Sequence, residues 1–324
     1  MIYILTSGEY DLSTDHVIQW LNYYNANYIR LNVEELENSK LTKVYIDSHN
    51  NLTDITYKDH KIDFSGSNVI WYRRLGIKRE DFKYDCELDS ENFFKLIQFR
   101  NNEWSMFIKI FLNSFSQKTI WFDDPRITIN KINVLNIAKK LDIQIPEYVI
   151  TNSLDSLGND YKKYITKPLF EQTYFNVENV IYPIFTNKVK RIKKEFLPSL
   201  FQQRIEKKYE IRSFYLDGEF YSMAIFSQND KKTSIDFRNY NWKKPNRNVP
   251  YKLPKEIEKK LDLLMNNLKL KNGSIDIIRG VDNYYYFLEV NPVGQFGMVS
   301  NPCNYNIEEK FALKLIEQKN KKKI

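Results

Sequence analysis

The residues best suited to chemistry lie near the C-terminal end of this 324-residue chain, in the run Gly273-Ser274-Ile275-Asp276-Ile277-Ile278-Arg279-Gly280 and its continuation Tyr285-Tyr286-Phe287-Leu288-Glu289-Val290-Asn291-Pro292. If Asp282-Asn283 forms a two-residue hairpin loop, antiparallel register sets Asp276 opposite Glu289. Side chains alternate along a strand, so Glu289 and Asn291 share the face of Asp276, while Ile275, Ile277, Leu288 and Val290 turn towards a core. Magnesium takes hard oxygen ligands, commonly one or two carboxylates completed by phosphate and water. Two acids directly opposite each other repel, and a cation between them relieves the cost. A solvated polar strand face is the alternative reading of the same pattern.

The elements that must position these residues follow from periodicity. Residues 1–5 read as a strand, Ser13 or Thr14 as the cap of a helix with Val17, Ile18, Leu21 and Tyr24 on its apolar face, and 28–33 as a second strand. A meander over 42–74 turns at Ser48-His49-Asn50-Asn51 and ends in Val69-Ile70-Trp71-Tyr72. A helix over 90–115 carries Phe94, Ile97, Trp104, Phe107, Ile108 and Phe111 as a packing stripe. Trp71, Arg73 and Arg74 read as the end of a buried strand and stay outside the site. The element type changes near 121–125. Beyond it come a helix over 128–141, a strand over 147–151 after Pro146, and strands over 162–169, 181–185, 200–205, 210–216 and 219–227, the last two joined by an Asp217-Gly218 turn. A helix over 254–268 precedes the hairpin described above, and another helix begins at Ile307.

Composition limits the possible functions. An apolar fraction of 42% supports real cores, and no apolar run approaches the roughly 20 residues that span a bilayer. No basic leader opens the chain, which implies a cytoplasmic location without membrane attachment. Cys86, Cys303, His16, His49 and His60 form no zinc spacing and no disulfide framework. The charge of +8 favours acidic or phosphorylated partners. The basic residues are scattered, and the run from Lys319 to Lys323 reads as a solvated tail, so nucleic acid is disfavoured. There is no Gly-x-x-x-x-Gly-Lys-Ser/Thr stretch, which excludes a P-loop NTPase.

With an Asp on one strand and Glu-x-Asn on the next, the sequence resembles the ATP-grasp superfamily from about Trp121 onward. The resemblance implies ATP and Mg2+ as cofactors and Asp276, Glu289 and Asn291 as metal ligands. Lys131 in Asn130-Lys131-Ile132-Asn133 and Lys167 in Tyr164-Ile165-Thr166-Lys167-Pro168 match the two nucleotide-binding lysines of the superfamily. Gln203, Arg204 and Ile205 resemble the hinge whose backbone meets adenine, Glu210-Ile211-Arg212 resembles the step after it, and Asp236-Phe237-Arg238-Asn239 resembles a segment of ribosomal-protein-modifying ligases. The implied ATP-binding set is therefore Lys131, Lys167, Gln203, Arg204, Ile205, Glu210 and Asn239. The implied reaction is attack of a carboxylate on the γ-phosphate, and a guanidinium fork suits the charge of the acyl phosphate, which makes Arg212 and Arg238 the catalytic candidates. An ordinary ion pair is the alternative for each arginine. The run Phe170-Glu171-Gln172-Thr173-Tyr174-Phe175 lacks the glycines usual in the phosphate loop.

The implied fold class is α/β (α+β): an N-terminal pre-ATP-grasp α/β domain over 1–122, a central lobe over 123–199 and a C-terminal antiparallel-sheet lobe over 200–324. Within the superfamily, Phe287-Leu288-Glu289-Val290-Asn291-Pro292-Val293-Gly294-Gln295-Phe296 looks most like the graspetide maturases of the microviridin and grasp-with-spasm types, as does Val69-Ile70-Trp71-Tyr72-Arg73-Arg74. That likeness implies phosphorylation of Asp or Glu in a ribosomally made precursor peptide and ring closure by Ser, Thr or Lys, with a leader segment docking on the enzyme. Oligomeric state is left open, a homodimer included. The rival readings are an amino-acid ligase acting on a protein terminus, whose segment after the Asn is normally Gly/Ser-rich, and a non-enzymatic basic binding protein, which would need a basic and aromatic stripe that is not present.

Overall fold

The computed structural model describes residues 1–7, 11–48, 53–73, 89–158, 161–169, 174–177, 180–183, 186–189 and 196–321. The chain divides into two units, Met1–Thr128 with Asn306–Ile324, and Ile129–Tyr305.

In the first unit, β1 (Ile2–Thr6) leads through α1 (Leu12–Tyr23) to β2 (Tyr28–Asn32). An antiparallel meander of β3 (Thr42–Ile46), β4 (Thr53–Tyr57) and β5 (His60–Lys61) follows, then β6 (Val69–Tyr72), α2 (Ser90–Asn113) and β7 (Ile120–Phe122). β2, β1, β6 and β7 form a parallel sheet in that order. A parallel sheet is covered on both faces, which is why β1 is apolar at consecutive positions from Ile2 to Leu5 and every one of them is buried. Tyr3, Leu5 and Ile70 pack with Ile108 and Phe111 of α2, whereas Trp71 and Phe122 face Phe311 of the C-terminal helix at ring separations of 4.4 and 5.6 Å.

Two sequence expectations need correction here. α1 is entered at Asp11 and not at Ser13 or Thr14, and the Asp11 carboxylate accepts hydrogen bonds from the Thr14 and Thr6 hydroxyls at 2.6 and 3.1 Å. The stripe on α2 packs only in its C-terminal half, where Ile108, Phe111 and Leu112 are buried, while Phe94 is 61% exposed. Length explains this: a helix of 24 residues is about 36 Å long, and strands of 5 residues are about 17 Å. The turn expected at 48–51 lies mostly outside the described residues, as do Arg74 and Cys86.

The second unit opens with α3 (Lys131–Lys140), later than expected because the Asn130 side chain caps it, accepting from the Ile132 and Asn133 amides. β8 (Tyr148–Thr151), β9 (Tyr164–Lys167), β10 (Tyr174–Val177), β11 (Val180–Pro183), β12 (Asn187–Lys188) and β13 (Ser199–Gln203) follow. Four of them form an antiparallel sheet in the order β12-β9-β13-β8. A second antiparallel sheet is built from β14 (Lys207–Leu216), β15 (Glu219–Phe226), β16 (Arg247–Tyr251), β17 (Asn272–Gly280) and β18 (Tyr285–Asn291), ordered β16-β15-β14-β17-β18. The turn between β14 and β15 is the expected Asp217-Gly218, both residues with positive φ. α4 (Lys255–Asn267) seats Leu261, Leu264 and Met265 against Ile211, Ile275 and Val290, and α5 (Gly297–Cys303) precedes α6 (Ile307–Asn320), the C-terminal helix. The sequence reading did not anticipate β16 and α5. Among the described residues no helix is long and apolar enough to cross a membrane.

Candidate active site

The register of the last hairpin differs from the expected one and still brings the acids together. The connection is Val281-Asp282-Asn283, closed by the Gly280 amide donating to the Tyr284 carbonyl at 2.9 Å, so Arg279 pairs with Tyr285 and Ile277 with Phe287. A bulge then restores the offset, pairing Asp276 with Glu289 and Ser274 with Asn291. The bulge also exchanges two side chains. Phe287 enters the core beside Ile275 and Ile277, and Leu288, expected there, lines a cavity instead.

That cavity measures about 380 Å³, within the range of small-molecule sites. Lys167, Gln203, Arg204, Ile205, Glu210, Arg238, Asp276 and Glu289, all singled out from sequence, line it. Four others do not. Arg212 lies behind Asp276, Lys131 reaches Glu289, and Asn239 and Asn291 stand outside the lining. Arg212 pairs with Asp276 across β14 and β17, its Nη1 donating to both carboxylate oxygens at 2.9 and 3.0 Å. Arg238 is held by Asp236 through a two-pronged contact of 2.9 and 2.8 Å, and its Nη1 reaches Glu289 at 3.3 Å. Lys131 donates to the Pro168 carbonyl at 3.3 Å and stands 3.7 Å from the other Glu289 oxygen. The repulsion expected between the opposed acids is thus already relieved by the protein's own cations.

Burial and the neighbouring cations together set the protonation of this cluster. Burial pushes the Asp276 carboxyl up, against the opposing pull of Arg212. Burial also opposes ionisation of Glu289, but Lys167, Arg238 and Lys131 outweigh it and hold that carboxyl below its usual range. The Lys167 ammonium is pulled down chiefly by burial. Lys131, Lys167, Arg212 and Arg238 face Asp236, Asp276 and Glu289, an excess of positive charge suited to a polyanion. Gln202 Oε1 and Gln228 Nε2, both on cavity-lining residues, are buried without a hydrogen-bond partner among the described residues. A polar ligand would satisfy such groups. Among the described residues no three His, Cys, Asp or Glu side chains are grouped to hold a metal alone. Asp276 and Glu289, opposed on β17 and β18, are hard oxygen donors of the kind magnesium takes beside phosphate and water.

Sequence reasoning missed Lys207 and Lys188, which also line the cavity. Nothing in their spacing marked them, although Lys207 lies next to the recognised Glu210 step. The glycine-poor run at 170–173 lies outside the described residues.

The chain shares its fold with solved ATP-grasp ligases. Residues 1–128 match the family model of the MvdD pre-ATP-grasp domain. A Chryseobacterium gregarium RiPP-associated ATP-grasp ligase, solved with ADP and a leader and core peptide, has a TM-score of 0.79 at 24% identity, over 98% of this chain and 96% of that one. The macrocyclase MdnC from Microcystis aeruginosa MRC, bound to its precursor peptide MdnA, gives 0.75 at 26% identity over 98% and 99%. The ligase PsnB, solved with precursor peptide PsnA2 and AMPPNP, gives 0.72 at 16% identity over 98% and 96%. No curated protein matches the chain.

Proposed function

We propose that the chain is an ATP-dependent carboxylate ligase that phosphorylates Asp or Glu side chains of a ribosomally made precursor peptide. It then closes ω-ester or ω-amide macrocycles with Ser, Thr or Lys. The observation that carries this reading is the convergence of Asp276, Glu289, Lys167 and Arg238 on one cavity, in a chain of this fold. The backbone of Gln203, Arg204 and Ile205 would receive adenine, Glu210 and Asn239 would complete the nucleotide site, and Lys131 and Lys167 would meet phosphate. Magnesium held by Asp276, Glu289 and Asn291 would offset phosphate charge and keep the triphosphate oriented.

A peptide carboxylate oxygen attacks the γ-phosphorus and ADP leaves. Arg238, already aimed at Glu289, holds the charge of the resulting acyl phosphate. A Ser or Thr hydroxyl or a Lys amine then adds to the acyl carbon, phosphate departs and the nucleophile's proton passes to solvent, so each ring removes one water from the peptide. Arg212 touches Asp276 and not the cavity, so it acts by fixing that carboxylate. The net positive charge suits an acidic peptide, and the cytoplasm supplies both ATP and the nascent precursor. The test is to incubate the purified chain with ATP, Mg2+ and synthetic peptides encoded by short reading frames beside its gene. ADP release with loss of one water per ring is expected, and no ADP with any acidic peptide would overturn the assignment.

A further inference from the structure

Lys207 is drawn into the site by a local irregularity. On a regular strand, residues three apart point to opposite faces. The β14–β17 ladder slips between Lys207 and Tyr209, and the slip turns Lys207 to the same side as Glu210. Its side chain is 7% exposed, and its ammonium donates to Glu210 Oε1 at 2.6 Å and to the Ile235 carbonyl at 3.3 Å. The second Glu210 oxygen accepts from Ser227 Oγ at 2.9 Å, and the Ser227 carbonyl accepts from Thr233 Oγ1 at 2.9 Å. Ser227 and Ile235 belong to the irregular segment between β15 and β16 that carries Asp236 and Arg238. One buried ion pair therefore ties that segment to β14 at two points, directly ahead of the Asp236 fork that holds Arg238.

We propose that Lys207 is a positioning residue: paired with Glu210, it fixes the segment after β15 so that Arg238 is presented to Glu289 and the cavity. This rests on the proposed function for its kinetic consequence only, since the tether itself is a property of the fold. A buried ion pair with further hydrogen bonds on both partners is well suited to such a role because it tolerates few alternative geometries.

The experiment compares wild type, Lys207→Met and Lys207→Arg by amide hydrogen exchange without nucleotide. Lys207→Met should speed exchange across 228–241 about tenfold or more while the other strands of the sheet stay protected, and Lys207→Arg should restore much of the protection. ADP formation is then measured in a double-mutant cycle with Arg238→Ala. Lys207→Met should cost about tenfold or more in the wild-type background and less than about twofold once Arg238 is gone, because a residue acting through Arg238 has nothing left to position. Unchanged exchange in 228–241, or fully additive kinetic losses, would overturn the proposal. If wild type itself forms no ADP, the ligase assignment fails and the exchange comparison alone decides the role of Lys207. Should Lys207→Met not fold, Lys207→Met with Glu210→Gln leaves no unpaired buried charge, and faster exchange across 228–241 is again expected, unchanged exchange again overturning the proposal.

Discussion

Asp276 and Glu289 stand directly opposite each other on β17 and β18, placed there by two departures from a regular hairpin that cancel. The longer connection moves the pairing by one position, and the bulge at Leu288 moves it back. Around the pair, Arg212 is committed to Asp276, while Arg238 and Lys131 are shared with Glu289. The two acids thus have different partners, and changes to each should have separable effects.

Glu289→Gln combined with Asn291→Ala should leave a folded protein, since neither residue belongs to the apolar core. ADP formation should fall about 1000-fold or more, because several kcal/mol of charge stabilisation are removed at about 1.4 kcal/mol per tenfold. Circular dichroism with steady-state ADP release measures both halves, and normal turnover would remove the metal assignment.

Arg212→Ala should destabilise the second unit by about 3 kcal/mol, the cost of leaving a buried carboxylate without its partner. Arg212→Ala with Asp276→Asn should recover much of the melting temperature without recovering turnover. A double variant as unstable as the single one would show that Arg212 contributes by packing and not by charge.

Gly294 has no room for a side chain: an added Cβ would collide with Ser274 Oγ and lie 2.9 Å from the Asn291 carbonyl oxygen. Gly294→Ala should cost about 1–3 kcal/mol through overpacking and raise the magnesium concentration needed for half-maximal activity, because the strain falls on Asn291. Ser274→Gly should relieve part of both effects. Melting curves and a magnesium titration decide the matter, and an unchanged titration would separate this turn from the metal site.

The acid sensitivity of the first unit should trace in part to Asp11. Burial opposes its ionisation, but Arg73 at 3.4 Å and the Thr14 and Thr6 hydroxyls outweigh it, so the folded carboxyl titrates below its usual value. The unfolded chain therefore binds the proton first as pH falls, and the stability from this group is present above about pH 4 and lost as pH drops through the folded pKa. Asp11→Asn should be less stable at neutral pH and lose less on acidification, as read from urea melts between neutral pH and the acid range. Parallel curves for the two proteins would contradict this.

Local chemistry made much of this legible in the sequence. Asp217-Gly218 announced its hairpin because a turn with positive φ has few alternatives, and Asp276 with Glu289 announced itself because opposed acids require an explanation. What stayed hidden depends on irregularities that periodicity assumes away. A strict alternation assigns Leu288 to the core, and only the bulge puts Phe287 there. The slip beside Lys207 likewise brings into the site a lysine that a regular strand would turn to its other face. Phe94 sits on the correct helical face, yet the helix outruns the sheet it packs on, and sheet dimensions cannot be read from a helix's own sequence.

The central claim is that a peptide carboxylate is activated by phosphorylation, and isotope transfer tests it most directly. A precursor peptide with 18O in its Asp and Glu carboxylates is cyclised with ATP and Mg2+, and the released phosphate is analysed by mass. One 18O delivered to phosphate for each ring closed, with ADP as the nucleotide product, is the predicted result. Unlabelled phosphate, or 18O appearing in AMP, would contradict it.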